Sequence, residues 1–196
     1  MKINRPRFYE SFKKQFGRFT YSQYDGFEAL LNEWERLGLT DLRWLAYILA
    51  TVWHETGRAM QPIEEDGRGY GRSYGQKLDV GQGPGKRVPY KTPNKLFYGR
   101  GHTQNTWRTI YLKLTSAAKA AGKDWDFLNK PELLLTMEPS IWATFYAMTT
   151  GLYTGKALSR YFNKDRNDAI GARKIINGTD KANLIAEYYH DFLLCL

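Results

Sequence analysis

The sequence predicts a mainly α-helical fold with a glycine-rich loop and short β region set among the helices. Two observations predict it. Apolar residues recur at helical spacing in several separate stretches, while glycine and proline crowd into one stretch, Gly67 to Gly101, that lacks this spacing. A third observation is the 42% hydrophobic content over 196 residues, which excludes a disordered chain and suits one large domain or a compact two-lobed one.

The elements follow in order. Met1 to Tyr21 is basic and aromatic. Its cations are interrupted by Phe8, Tyr9, Phe12 and Phe16, so it is either a solvated face over a packed stripe or an accessory contact surface. Within residues 23–37, Phe27, Leu30, Leu31, Trp34 and Leu37 fall on one helical face, and Gly38 stops the helix. Thr40 or Asp41 caps the next helix, whose buried side carries Leu42, Leu45, Ile48, Leu49, Val52 and Trp53. Gly57 ends it and Pro62 opposes its resumption. The glycine-rich stretch reads as loop with short strands around Lys77–Val80 and Leu96–Tyr98. Trp107, Ile110, Tyr111, Leu114 and Ala118 then form a helical stripe, and a further helix follows Pro139 with Ile141, Trp142, Phe145, Tyr146 and Met148. "KALSRYF" reads as a short helix, and "NDAIGARKIING" as a helix running from an Asn167 or Asp168 cap to Gly178. "DKANLIAEYYHDFLL" closes the chain, with Ile185, Tyr188, Tyr189 and Phe192 inward. Loops at the mouth of a helical scaffold are where a cleft is expected.

Charge and cysteine content narrow the partners. A net charge of +9 attracts polyanions such as an anionic wall polymer, lipopolysaccharide or nucleic acid. No zinc finger, ribonucleoprotein motif or helix-turn-helix accompanies it, so a nucleic-acid partner is not expected. The single cysteine, Cys195, permits no intrachain disulfide and fits synthesis in a reducing cytoplasm. The N-terminus lacks the apolar run of a signal peptide, and no stretch has the ~20 apolar residues of a membrane span. The expected setting is therefore a cytoplasm, with action elsewhere only after release.

Several chemistries are set aside. The three histidines, His54, His102 and His190, are far apart, and Arg58 occupies the place of the second ligand in an H-E-x-x-H motif. No metal or cofactor is expected. "GQGPGKR" ends in Arg87 where a phosphate loop needs Ser or Thr, and no nucleophile elbow is visible.

Carboxylates remain. Glu55 ends a helix whose other residues pack inward, and Glu64, Glu65 and Asp66 follow closely. Desolvation and the negative helix terminus both disfavour a charge on Glu55, which is what a general acid requires. Glu64 lies nine positions on, about 13 Å along a continuous helix. Gly57 and Pro62 break that helix, so the chain can bend and return Glu64 towards Glu55. Inverting glycosidases hold two carboxyls roughly 6.5–9.5 Å apart. The competing reading is a solvated acidic loop answering Arg58 and Arg68.

Three stretches, "VWHETG" (52–57), "FYGRGHTQNTW" (97–107) and "ARKIINGTD" (172–180), occur in this order. Together they resemble glycoside hydrolase family 19, the plant-type chitinases and their phage endolysin relatives, over nearly the whole chain. The resemblance implies a lysozyme-like, two-lobed helical fold, a single catalytic domain over 1–196, and a glycine-rich region (67–101) lining a cleft. It implies β-1,4 glycosidic hydrolysis with inversion, with Glu55 as general acid and Glu64 as second carboxylate, Glu65 being the alternative. It places Thr106 beside the attacking water and His54, Tyr98, Arg100, Gln104 and Asn177 at the substrate. Ile110 stands where the family's chitinases carry Asn, and Thr179 where they carry a second Gly.

The function expected from the resemblance is that of a phage endolysin of muramidase type. Its substrate would be bacterial peptidoglycan, cut between N-acetylmuramic acid and N-acetylglucosamine, with positive charge holding it to the wall or an anionic outer membrane. A chitinase, a lytic transglycosylase and a non-catalytic glycan-binding module are the alternatives.

Overall fold

The structure is a computed structural model that describes residues 1–72, 74, 77–79, 87–89 and 97–196, with backbone alone for 77–79 and 87–89. It is mainly helical, as expected. The chain divides into two compact units, one formed by residues 1–61 and 144–196, the other by residues 62–143.

The first unit is built on helices packed through aromatic side chains. Helix α1 (Arg5–Phe16) starts at Asn4, whose side chain accepts from the Arg7 N–H, with Pro6 in the first turn where no N–H is needed. Its Phe8 and Phe12 are buried, so the aromatic half of the N-terminal segment belongs to the core. Helix α2 (Tyr21–Arg36) begins with a reciprocal capping box between Thr20 and Gln23. It buries Phe27, Leu30, Leu31 and Trp34 completely. Leu37 is 40% exposed, contrary to the expected stripe, because the helix has ended at Arg36.

Helix α3 (Leu42–Glu55) is capped by Asp41, which accepts from Arg43 N. Every residue from Leu45 to Trp53 is buried, so α3 is enclosed on all sides rather than amphipathic. Its principal neighbour is the last helix of the chain, Ala182–Cys195. Phe12, Phe27, Trp53 and Phe192 interlock near its C-terminal end, with ring centroids between 4.9 and 6.4 Å apart. Each such fully buried side chain stabilises the fold by roughly 1.5–3 kcal/mol. Beyond Glu55 the chain turns through left-handed conformations at Gly57, Arg58 and Met60. Gly26 of α2 allows the backbone of this turn to pass close by, since a Cβ there would overlap the Met60 carbonyl.

Two expected elements of this unit differ. "KALSRYF" forms only a 3-10 turn, Leu158–Arg160, ahead of a small hairpin, Phe162–Asn163 with Arg166–Asn167. "NDAIGARKIING" is not an α-helix but a 3-10 turn, Gly171–Ile175. Asp168 Oδ1 accepts from Gly171 N and fixes that turn, and the β-branched pair Ile175–Ile176 followed by Asn177–Gly178 does not propagate it. Tyr188 is half-buried, whereas Ile185, Tyr189 and Phe192 are fully buried.

In the second unit, β1 (Ile63–Glu64) pairs antiparallel with β4 (Arg100–Gly101), which sets Glu64 opposite Arg100. Between them, β2 (Lys77–Asp79) pairs with β3 (Arg87–Pro89). The expected strand at 77–80 is thus present as far as Asp79, while the one placed at 96–98 lies further on, at Arg100. Val80 and Leu96 fall outside the described residues. Helix α4 (Arg108–Ala120) buries Tyr111, Leu114, Ala117 and Ala118. Helix α5 (Met137–Thr150) begins here, two residues ahead of Pro139, because a first-turn proline sacrifices no helical hydrogen bond. Trp125 and Phe127 pack against its Trp142. The remaining elements, β5 (Phe162–Asn163), β6 (Arg166–Asn167) and α6 (Ala182–Cys195), belong to the first unit. No described helix is long and apolar enough to cross a membrane.

Candidate active site

Glu55 is the last residue of α3, held there by the burial of the nine residues from Leu45 to Trp53. Its Oε1 accepts a 2.6 Å hydrogen bond from Arg173 Nη1. The Arg173 side chain is 4% exposed and that of Glu55 15%. Arg173 Nε donates to the Asp180 carbonyl at 2.9 Å, and the Arg173 carbonyl accepts from Asn177 N at 3.0 Å. The first and third sequence motifs therefore meet within one unit, joined by an arginine that sequence reasoning quoted but gave no role. The available signal was a pair of cations, Arg173 and Lys174, between Ala172 and Ile175, two residues of core type. Burial and the helix terminus were the influences expected at Glu55; Arg173 adds a positive charge opposing both.

The second oxygen, Oε2, accepts no hydrogen bond from a described residue. His54, directly before Glu55, is half-buried, and its pKa is lowered chiefly by desolvation, so the ring is neutral at neutral pH. Asn177 is exposed, at the turn after the 3-10 segment.

In the second unit the β1–β4 pairing gathers Glu64, Tyr98, Arg100 and Gln104. Glu64 Oε2 accepts from the Tyr98 hydroxyl at 2.9 Å, and Oε1 accepts from Arg68 Nη2 at 2.9 Å. These bonds, the tyrosine's first, hold the Glu64 carboxyl below its ordinary value of 4.5. The arginine partner is the Arg68 that the acidic-loop reading anticipated; Arg58 instead lies over the Trp53 ring. Sequence reasoning placed Tyr98 at the substrate and did not foresee that its hydroxyl reaches Glu64.

Arg100 is 6% exposed, with its guanidinium 3.5 Å from the Tyr98 ring centroid and Nη1 donating to the Tyr111 hydroxyl. Gln104 Nε2 donates to the carbonyls of Ile63 and Gly101, both at 3.1 Å. Of these two side chains expected at the substrate, Gln104 thus braces the β1–β4 pair and Arg100 ties β4 to Tyr98 and Tyr111. Glu65 is anchored as well: its carboxylate accepts from the Tyr74 hydroxyl and from Gly99 N at 3.1 Å. Thr106 is half-buried just after Asn105, which pairs with Arg100, and its hydroxyl has no partner among the described residues. No group of three or more His, Cys, Asp or Glu able to hold a metal occurs among the described residues.

The whole-chain comparison turns on this helical frame. A solved bacterial family 19 chitinase aligns with 95% of this chain and 93% of its own, at a TM-score of 0.59 and 20% sequence identity. The fold is like that of a family 19 chitinase. No protein-family model matches the chain, and no curated protein matches it. The mainly helical fold expected from the three short motifs is thus the fold observed.

Proposed function

We propose that the protein is a glycoside hydrolase cutting the β-1,4 bond between N-acetylmuramic acid and N-acetylglucosamine in peptidoglycan, with inversion, and that it serves as a lysin acting on the bacterial wall after release from the cytoplasm. Glu55 protonates the leaving oxygen, and Glu64 takes a proton from the water that attacks the opposite face of the sugar ring. Thr106 and Asn177 steer that water. His54 and Tyr98 border the substrate, Gln104 acts by holding β1 against β4, and Arg100 acts by fastening Tyr98 and Tyr111.

The observation that carries this reading is that an arginine fixes each of the two glutamates, while only Glu55 keeps one oxygen without a partner among the described residues. Glu64 is kept ionised by a phenol and a guanidinium, the form a base requires. Glu55 has Oε1 pinned by Arg173 and Oε2 left to carry the transferred proton. Glu64 is preferred to Glu65 because the Glu65 carboxylate fastens the backbone at Gly99. The chitinase-like fold supports the reaction class. It equally favours a second reading, hydrolysis of N-acetylglucosamine polymers, since the similar structure is that of a chitinase.

Mass spectrometry of digested peptidoglycan tests the proposal. Free reducing-end N-acetylmuramic acid, α-anomeric by NMR at early times, is expected. Anhydro ends would show a transglycosylase. Release from chitin with none from the wall would establish the second reading.

A further inference from the structure

At the corner where α1 passes into α2, the first unit has a cavity of 670 Å³, within the size range of small-ligand sites, roughly 300–1,000 Å³. Its walls include Lys13, Arg18, Phe19, Tyr21, Tyr24 and Asp25. None of these residues takes part in the chemistry proposed above.

Three features distinguish this corner from ordinary surface. First, Tyr21 is 92% exposed at the start of α2, and Tyr24 is 39% exposed one turn later. An aromatic ring so open contributes little to the core but presents a flat face to a ligand. Second, the rings beneath are preorganised. Tyr9, Phe19 and Tyr24 lie 5.0–6.3 Å apart, and the Tyr9 hydroxyl is tied to Glu28 at 2.6 Å. Third, the polar groups are of two kinds. Lys13 and Arg18 supply positive charge, the Lys13 ammonium standing 5.6 Å from the Phe19 ring centroid. Asp25 supplies an acceptor.

We propose that this cavity is an accessory binding site for a carboxylate-bearing saccharide, separate from the hydrolytic residues. Tyr21 and Tyr24 receive the C–H face of a pyranose, Asp25 accepts from its hydroxyls, and Lys13 and Arg18 meet a carboxylate of the peptide stem that the sugar carries. Asp25 favours a ligand that offers hydroxyl donors beside its negative charge over a polyphosphate, which offers none. The absence of Leu, Ile, Val or Met among the described lining residues argues against a membrane surface. The choice of a glycan carrying peptide carboxylates rests on the proposed function only in taking that glycan to be peptidoglycan.

The test is retention of the full-length Glu55→Gln protein on purified, undigested peptidoglycan sacculi, compared with the same protein carrying Tyr21→Ala or Lys13→Glu with Arg18→Glu. Tyr21→Ala is expected to weaken retention about fivefold and the double charge reversal about tenfold or more, with unchanged circular dichroism. Retention on uncharged chitin beads is expected to be weak and insensitive to the charge reversal. In the otherwise native protein, both changes should leave kcat/KM on soluble wall oligosaccharides unaltered. Equal retention by all variants would overturn the proposal, as would pocket-dependent binding confined to phosphatidylglycerol vesicles or duplex DNA. If no glycan is cleaved yet the variants still lose retention, the hydrolase reading fails and the binding site stands.

Discussion

Glu55 Oε1 and Arg173 Nη1 are 2.6 Å apart across 118 residues of chain, in a pair almost wholly withdrawn from solvent. The contact joins the end of the most buried helix to the turn before α6 and fixes one oxygen of the proposed acid. Removing the arginine leaves a carboxylate with little water and no counter-charge. Arg173→Ala is expected to lower stability by about 3 kcal/mol, seen as a reduced urea midpoint, and to abolish turnover. Arg173→Lys keeps the charge but loses the second tie, to the Asp180 carbonyl, and should recover part of the stability. An unchanged midpoint in Arg173→Ala would show that the pair contributes nothing.

Glu55→Gln retains the shape of the side chain but cannot deliver a proton. Hydrolysis of peptidoglycan should fall at least about a hundredfold, and because Gln keeps an acceptor for Arg173 but not the charge, the thermal midpoint should drop by less than in Arg173→Ala. Full wall lysis by this variant would remove Glu55 from the mechanism.

Tyr98 offers a pH test. Its hydroxyl is the first cause of the depressed Glu64 pKa, so Tyr98→Phe raises that pKa towards 4.5. A base works ionised, so the acid limb of the kcat/KM profile should move to higher pH in the variant. Linkage has the same sign. A carboxyl depressed in the folded state contributes stability above its unfolded pKa, and this is lost as pH falls through the folded value. Native protein should therefore lose stability below about pH 4.5, over a window the variant narrows. An acid limb unmoved by the substitution would argue against Glu64 as the base.

Gly26→Ala tests the close approach of α2 to the turn following Glu55. The added methyl overlaps the Met60 carbonyl, and backbone cannot rotate away as a flexible side chain does. A loss of about 1–3 kcal/mol in chemical denaturation is expected. Thr20→Ala, which dismantles the capping box of the same helix, should cost about 1 kcal/mol. Equal midpoints for Gly26→Ala and the native chain would mean that the turn relaxes freely.

What could be read from the sequence alone was whatever is encoded over short spans. The buried stripe of α2, the Asp41 cap, the stop at Gly57 and the stripe of α4 all follow from periodicity and capping within one or two turns. Helix α1 was harder, because basic residues alternate with its buried Phe8 and Phe12 and mask the stripe. The segment at Gly171–Ile175 misled, because its composition is helical while an Asp168 side chain directs it into a tighter turn.

The residue types of the site were also visible in three short motifs. Which of those groups meet was decided only by the tertiary structure. Arg173 reaches Glu55 over 118 positions, and Tyr98 reaches Glu64 over 34. No local rule spans such distances, because those partners meet only after helices and strands have packed. A charge's behaviour depends on its neighbours in space, and those neighbours are a product of the fold.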